Sequence, residues 1–458
     1  MTQTHQALRS TLDGVAGRMS PEGLRLVEHV SGGKLLRGRL VMAVAAIGSA
    51  QHDDRALHAA SQIELIHAGA LIHDDLIDGS TVRRGRPTLW QEAGARAALF
   101  TGTALILEAG AELSAASDER RRGIALLLRE VARGQTDELT TLFSTCVSPD
   151  AYLRRAQAKT GTLYELAARL GAWAGNLDAP TTHAVAEFAA KLGTGFQLAD
   201  DVRDLVGGAT LGRAPGTDLR VGVYTLPVLA TLTGRFPGGE RLGTLLGKVA
   251  DGEGIRDCVE LLRSNGALDY TVKRAKALLY EGIAWLSSVS SMRARVVLEA
   301  YACELLGPLR TVGVGPWDVA WIAPPGGARV AIPAGSIDPA LRLACHPTVA
   351  KRLARLRRLA GAPAPLARAI LAGGALVLLA DQMHDAYPWE ERAGLTGSVD
   401  LLLAEVMAHL ATLPGTVAAV VARRLAEVCF GGSMGRGFED DEPLRAFASA
   451  VVADARRC

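Results

Sequence analysis

The sequence predicts an all-α protein: a helical bundle around a central cavity, followed by an additional C-terminal helical domain. Three observations carry this. Apolar residues recur at helical spacing in one segment after another. The composition is rich in Ala and Leu with only 5% aromatic residues, which suits packed helices better than sheets. Two acidic turns sit inside apolar stretches of helical pattern, a placement that asks for a shared polar interior. At 458 residues the chain exceeds what one hydrophobic core usually organises. The composition shifts to Gly and Pro after Leu309, so the division reads as a first domain over residues 1–310, a linker over 311–338 and a helical domain over 339–458.

Residues 7–30 predict a first helix, stopped at Ser31-Gly-Gly33. The next begins near Lys34. Its Lys34 and Arg37 share a face at i and i+3, which suits one diphosphate and equally suits a solvated basic helix start. His52-Asp-Asp54 reads as a helix cap. The helix from about Leu57 to Ile77 is apolar nearly all round and therefore central. His67 lies two turns before Asp74 on its face, where a satisfied core histidine is the commoner reading. Residues 98–113, 119–144, 149–173 and Thr182 to Leu205 give further helices, and helical pattern continues to Leu309. Residues 339–458 predict three to five more helices, with a short hairpin at Ala328 to Ile332 inside the linker.

The segment Leu71-Ile-His-Asp-Asp-Leu-Ile-Asp78 puts Asp74, Asp75 and Asp78 within one helical turn, where all three can converge. Uncompensated carboxylates repel, so they call for protonation, neighbouring cations or a hard metal ion with oxygen ligands. One such D-D-x-x-D reads equally well as a solvated helix face or a cap. The second copy, Asp200, Asp201 and Asp204, shifts the balance toward two acidic turns that clamp a diphosphate through Mg²⁺. The basic turn Arg83-Arg84-Gly-Arg-Pro87 follows the first copy and suits phosphate oxygens.

A formal net charge of +2, without a basic stripe interleaved with aromatics, argues against nucleic acid as a partner. Six cysteines without C-x-x-C spacing argue against a zinc site or a disulfide framework. The start of the chain lacks an apolar core for a signal peptide, and no apolar run approaches the roughly 20 residues of a membrane span. No transmembrane segment and a cytoplasmic location are therefore expected.

In order and spacing these motifs resemble the trans-isoprenyl diphosphate synthases, or polyprenyl synthetases. Gly32-Gly-Lys34-Leu-Leu-Arg37 is similar to the family's G-G-K-x-x-R-P element, and Glu64-Leu-Ile-His67 to its E-x-x-H element. Both aspartate motifs follow in order, with Arg83-Arg84-Gly-Arg-Pro-Thr88, Gly134-Gln135, Lys159-Thr160-Gly161, Phe196-Gln197 and Gly212-Arg-Ala-Pro-Gly-Thr-Asp-Leu219. The resemblance runs from about residue 20 to about 305 and implies an isoprenoid-synthase bundle. It implies Mg²⁺ at Asp74, Asp78 and Asp200, about three ions with a bound diphosphate, supported by Asp75, Asp201 and Asp204. Isopentenyl diphosphate would contact Lys34, Arg37, His67 and Arg84. An allylic diphosphate would contact Arg83, Lys159, Thr160, Gln197 and Arg213. A homodimer is the expectation the family carries.

The chain also departs from the family pattern. Gly38 replaces a proline, Thr103 stands where aspartate is usual, and Arg213 stands for lysine. Val223 occupies a position where the family usually has lysine, which bears on rate or substrate. Gly69 and Ala70 place no aromatic plug before the first aspartate motif, which implies a product longer than C15, with C20 the first guess. The implied activity is head-to-tail prenyl transfer. A terpene cyclase on the same bundle and a regulatory subunit of a prenyl synthase are the competing readings. In the C-terminal domain, Asp381, His384 and Asp385 read as a solvated helix end in preference to a metal site, and Glu439-Asp-Asp-Glu442 as a loop and cap. That domain is expected to dock or oligomerise.

Overall fold

In the computed structural model, which describes residues 33–48, 54–114, 116–206, 216–249, 254–306, 364–381, 389–433 and 442–455, almost every segment is helical. The helix expected over 7–30, the linker with its hairpin, and Arg213 lie outside the described residues. The chain divides into two compact units, Met1–Met42 with His52–Thr136 and Ala334–Cys458, and Ala43–Gln51 with Asp137–Pro333.

In the first unit α1 (Leu36–Ala45) leads to α2 (Asp54–Ile77), which is buried on nearly every side as its apolar pattern requires. A two-residue antiparallel pair, β1 (Val82–Arg83) with β2 (Arg86–Pro87), carries the basic turn, and a short α3 (Leu89–Ala93) follows. Helix α4 (Ala95–Leu113) is buried almost throughout and crosses α2 closely. The closeness depends on glycine. A Cβ on Gly69 would lie 2.5 Å from the Gly102 carbonyl oxygen, and one on Gly102 would lie 2.5 Å from the His73 ring. Thus Gly69, which reads in sequence as open cavity floor, is small because α4 and Ile106 press against it.

Helix α5 (Asp118–Leu139) completes the N-terminal part of this unit. Four C-terminal helices pack in the same unit: α15 (Ala364–Ala380), α16 (Trp389–Leu410), α17 (Gly415–Ser433) and α18 (Glu442–Ala455). Helix α17 runs along α4, and α16 lies against both α2 and α4. The α17 side chains Val421, Leu425 and Cys429 are fully buried, each aliphatic one contributing about 1.5–3 kcal/mol of apolar burial. The fit is keyed. Gly110 leaves room for Met407, whose Cε would lie 2.5 Å from a Cβ there, and Arg121 donates to the Leu413 carbonyl at 2.5 Å.

The second unit is built on the long α8 (Ala179–Val206), flanked by α7 (Thr162–Ala174) and α13 (Ala267–Trp285). Around them stand α6 (Pro149–Ala156), α9 (Thr217–Arg220), α10 (Leu226–Leu232), α11 (Gly239–Leu246), α12 (Ile255–Ser264) and α14 (Met292–Leu306). Two helix expectations change here. The helix expected to reach residue 144 stops at Leu139, because the Thr140 and Thr141 hydroxyls turn back to the Asp137 carbonyl. The helix expected over 149–173 is interrupted by a π-helical turn, Gln157–Gly161, between α6 and α7. Helix α6 starts where sequence places it, with Ser148 accepting the Ala151 N–H at 3.1 Å and Pro149 in the first turn.

Candidate active site

The first acidic turn closes α2. Asp74 and Asp78 are half-buried and Asp75 is buried. Asp75 accepts from Arg83 Nε at 2.7 Å, so the basic turn folds back onto the acidic one. Burial alone would lower the basicity of the Arg83 guanidinium, but Asp75, Asp74 and Asp78 raise it. Arg84 takes a left-handed φ of 53°, which swings it out of the β1–β2 turn. Its guanidinium lies 2.7 Å from where a Cβ on Gly33 would stand, so glycine at 33 admits it beside Lys34. Arg37 is buried and Lys34 is exposed.

Glu64 ties this basic strip to α2 by accepting the Gly38 N–H at 2.7 Å. Burial lifts its carboxyl above the ordinary range, while the Gly38 amide and Arg37 oppose the rise. His67 is held well below its usual range, first by burial and then by Arg37, Arg83 and Arg84 around it. A neutral imidazole near three guanidiniums sets N–H donors together of the kind that hold a phosphate. The structure thus brings together Arg37, His67, Arg83, Arg84 and the acidic turn, with Lys34 at the start of α1.

The second acidic turn lies near the end of α8, and its three carboxylates go three ways. Asp200 is exposed, with Arg203 Nη1 at 3.5 Å. Asp201 is buried, accepting from the Tyr152 hydroxyl and from Gln197 Nε2 at 2.9 Å. Burial pushes the Asp201 carboxyl well up, and the Glu138 and Asp204 carboxylates push the same way. Asp204 accepts the backbone N–H groups of Thr217 and Asp218 at 3.2 and 3.1 Å, which anchors the start of α9. The expectation that one turn's carboxylates converge is therefore not met. Among the described residues no three His, Cys, Asp or Glu side chains gather to hold a metal ion by themselves. The partly exposed oxygens of Asp74 and Asp78 in the first unit, and of Asp200 in the second, are hard donors of the kind that ligate Mg²⁺ beside water or a diphosphate.

Lys159 projects from the π turn and donates to Glu138 at 2.7 Å, with Arg155 Nε 4.0 Å from the same carboxylate. Despite burial, the two cations hold Glu138 below the usual carboxylate range. Thr160 donates to Gln197 Oε1 at 2.7 Å, so Thr160, Gln197 and Asp201 form one chain. Gly161 is required because a Cβ there would lie 2.6 Å from Thr194 Oγ1 and 2.8 Å from the Ala190 carbonyl. Sequence reasoning missed Glu138, Tyr152 and Arg155. Arg155 had one available signal, its i, i+4 spacing from Lys159. At Val223, where lysine is usual, the amide bonds the Asp218 carbonyl at 2.8 Å, and Arg155 Nη2 donates to the neighbouring Tyr224 carbonyl.

Residues 24–262 match the family model described as polyprenyl synthetase. The chain is 32% identical over 283 residues to nonaprenyl diphosphate synthase of Mycobacterium tuberculosis, covering 60% of this chain and 84% of that one. It is 33% identical to geranylgeranyl diphosphate synthase of Methanosarcina mazei, covering 55% and 78%. The crystal structure of a polyprenyl synthase from Caulobacter crescentus, complexed with calcium and isoprenyl diphosphate, is similar with TM-score 0.59 and 28% identity. That match covers 66% of this chain and 94% of that one. The fold is that of the all-α isoprenoid synthases, and this chain belongs to the polyprenyl synthetase family.

Proposed function

We propose that the chain is a Mg²⁺-dependent head-to-tail prenyltransferase, condensing isopentenyl diphosphate with an allylic diphosphate to give a C20 or longer prenyl diphosphate. Its relatives include synthases of geranylgeranyl and nonaprenyl diphosphate, which supports products of this size. One observation carries the reading against a cyclase: a basic pocket of Arg37, Arg84 and a neutral His67 beside the first acidic turn. A cyclase acts on one allylic diphosphate and has no use for a second diphosphate pocket.

In this reading Lys34, Arg37, His67 and Arg84 hold isopentenyl diphosphate with its double bond toward the allylic carbon. Asp74, Asp78 and Asp200 would hold the Mg²⁺, which when bound supplies charge withdrawal from the allylic diphosphate. Asp75 and Asp201 keep their turns in place through Arg83 and Tyr152, and Asp204 anchors the loop to α9. Lys159, Arg83 and Arg213 steady the charge on the departing diphosphate, with Thr160 and Gln197 beside them. As the C–O bond breaks, the double bond supplies the electron pair of the new C–C bond. The departed diphosphate takes the surplus proton. Packed apolar helices exclude water, which would otherwise quench the cation. A homodimer acting in the cytoplasm belongs to the same proposal, and light scattering on the pure protein tests the first part.

The deciding experiment incubates the protein with Mg²⁺, isopentenyl diphosphate and each allylic diphosphate, and sizes the products. A longer diphosphate is expected, and Asp74→Ala or Asp200→Ala should lower turnover about a hundredfold or more in a folded protein. A hydrocarbon or alcohol from the allylic substrate alone would make it a cyclase. Turnover only with an added partner would make it a regulatory subunit.

A further inference from the structure

His73 immediately precedes Asp74 and is only 1% exposed. Its ring is held on both sides. Nε2 lies 3.1 Å from the Leu99 carbonyl oxygen and Nδ1 lies 2.5 Å from Asp400 Oδ1. Thr103 Oγ1 stands 3.4 Å from Nε2. The Leu99 carbonyl and the Asp400 carboxylate both accept, so the ring is bonded at each nitrogen. Of these three partners Asp400 alone is charged; Thr103, on α4 like Leu99, brings no charge.

Asp400 lies 327 residues along the chain, on α16, outside the stretch that matches the family model. We propose that Asp400 is a positioning residue for the diphosphate-binding turn: it holds His73, and through His73 sets the last turn of α2 that presents Asp74 and Asp78. The C-terminal helices thereby complete the first half of the active site. This rests on the prenyltransferase reading for its consequence, though not for its geometry.

A ring fixed at both nitrogens fixes the rotation of α2 at its final turn, and ligand carboxylates need orientation to within a fraction of an ångström. The docking that delivers Asp400 is well built. Met407 fills the space left by Gly110, Arg121 reaches the Leu413 carbonyl, Arg392 stacks on Trp90, and Arg96 pairs with Asp381 at 3.4 Å.

The test uses the full-length chain and measures calorimetric binding of inorganic diphosphate in the presence of Mg²⁺, with melting temperature followed in parallel. Variants are Asp400→Asn, Asp400→Glu and, as a control, Asp381→Asn, which breaks a different ion pair of the same C-terminal segment. Asp400→Asn should weaken Mg²⁺-dependent diphosphate binding about tenfold, the scale of losing a partner behind a metal ligand. Asp400→Glu should recover part of this. Asp381→Asn should lower the melting temperature with binding changed less than about twofold. The inference is overturned if Asp400→Asn binds like wild type once folded, or if Asp381→Asn weakens binding as much. Turnover with isopentenyl and allylic diphosphates is measured separately. Its absence in wild type would sink the prenyltransferase reading, while the binding series still decides the role of Asp400.

Discussion

Glu138 and Lys159 form a 2.7 Å ion pair across 21 residues of sequence, joining the end of α5 to the π turn that interrupts the next helix. The pair sits beside the second acidic turn, whose Asp201 feels the Glu138 charge. Lys159 is therefore held in a fixed direction by its carboxylate partner.

Replacing Glu138 with Gln should show in the pH dependence of stability. The folded carboxyl is held below its unfolded value of 4.5 by Lys159 and Arg155, against the upward push of burial. Its contribution is therefore complete above that value and fades as pH falls through the lower folded one. Urea denaturation should find Glu138→Gln less stable by about 1–3 kcal/mol near neutral pH, with the gap narrowing below about pH 4. A gap that widens in acid would contradict this assignment.

Tyr152→Phe removes the hydroxyl that donates to buried Asp201. Gln197 remains as a donor at 2.9 Å, so the protein should fold, with a loss of about 1–3 kcal/mol. Turnover should fall about tenfold, because Asp200 rides on the same helical turn. Wild-type kinetics in this variant would separate Asp201 from the function of that turn.

Gly102→Ala should destabilise the first unit. The new methyl would lie 2.5 Å from the His73 ring, which is pinned at both nitrogens and cannot swing aside. A cost of about 1–3 kcal/mol is expected from overpacking, read as a lower urea midpoint at unchanged slope. Gly123→Ala is the control, since nothing stands within 4 Å of its Cβ position.

The four cysteines among the described residues should react in two classes. Cys146 and Cys303 are exposed, whereas Cys258 and Cys429 are buried. Burial pushes the Cys258 thiol up to about 11 and that of Cys429 further still, so almost no thiolate is present at these two near pH 8. A maleimide reagent followed by peptide mapping should label Cys146 and Cys303 in native protein, and Cys258 and Cys429 only after unfolding.

Much of this was legible in the sequence, and the part that was not has a common cause. Helix positions follow from local periodicity, so α2, α4 and α8 fall where apolar spacing puts them. The acidic turns and the Lys34, Arg37 and Arg84 strip were visible because spacing within a turn is local. The π turn at Gln157–Gly161 was hidden, since one wider turn barely alters the hydrophobic period. Tyr152, 49 residues from Asp201, and Asp400, 327 from His73, were hidden because a tertiary partner leaves no mark on the sequence between. Gly69 shows the opposite failure: its small size was visible and its reason was not, because an empty cavity and a close helix crossing both select glycine.

Helix α17 lying along α4 has a bearing on how this gene can change. A premature stop after Leu306 would not trim an ornament from a finished enzyme. It would strip the cover from a helix that is apolar on nearly every side, leaving a sticky flank for ribosome-fresh chains to find in one another. A chain trimmed to the family-like portion should accordingly collect in inclusion bodies on expression.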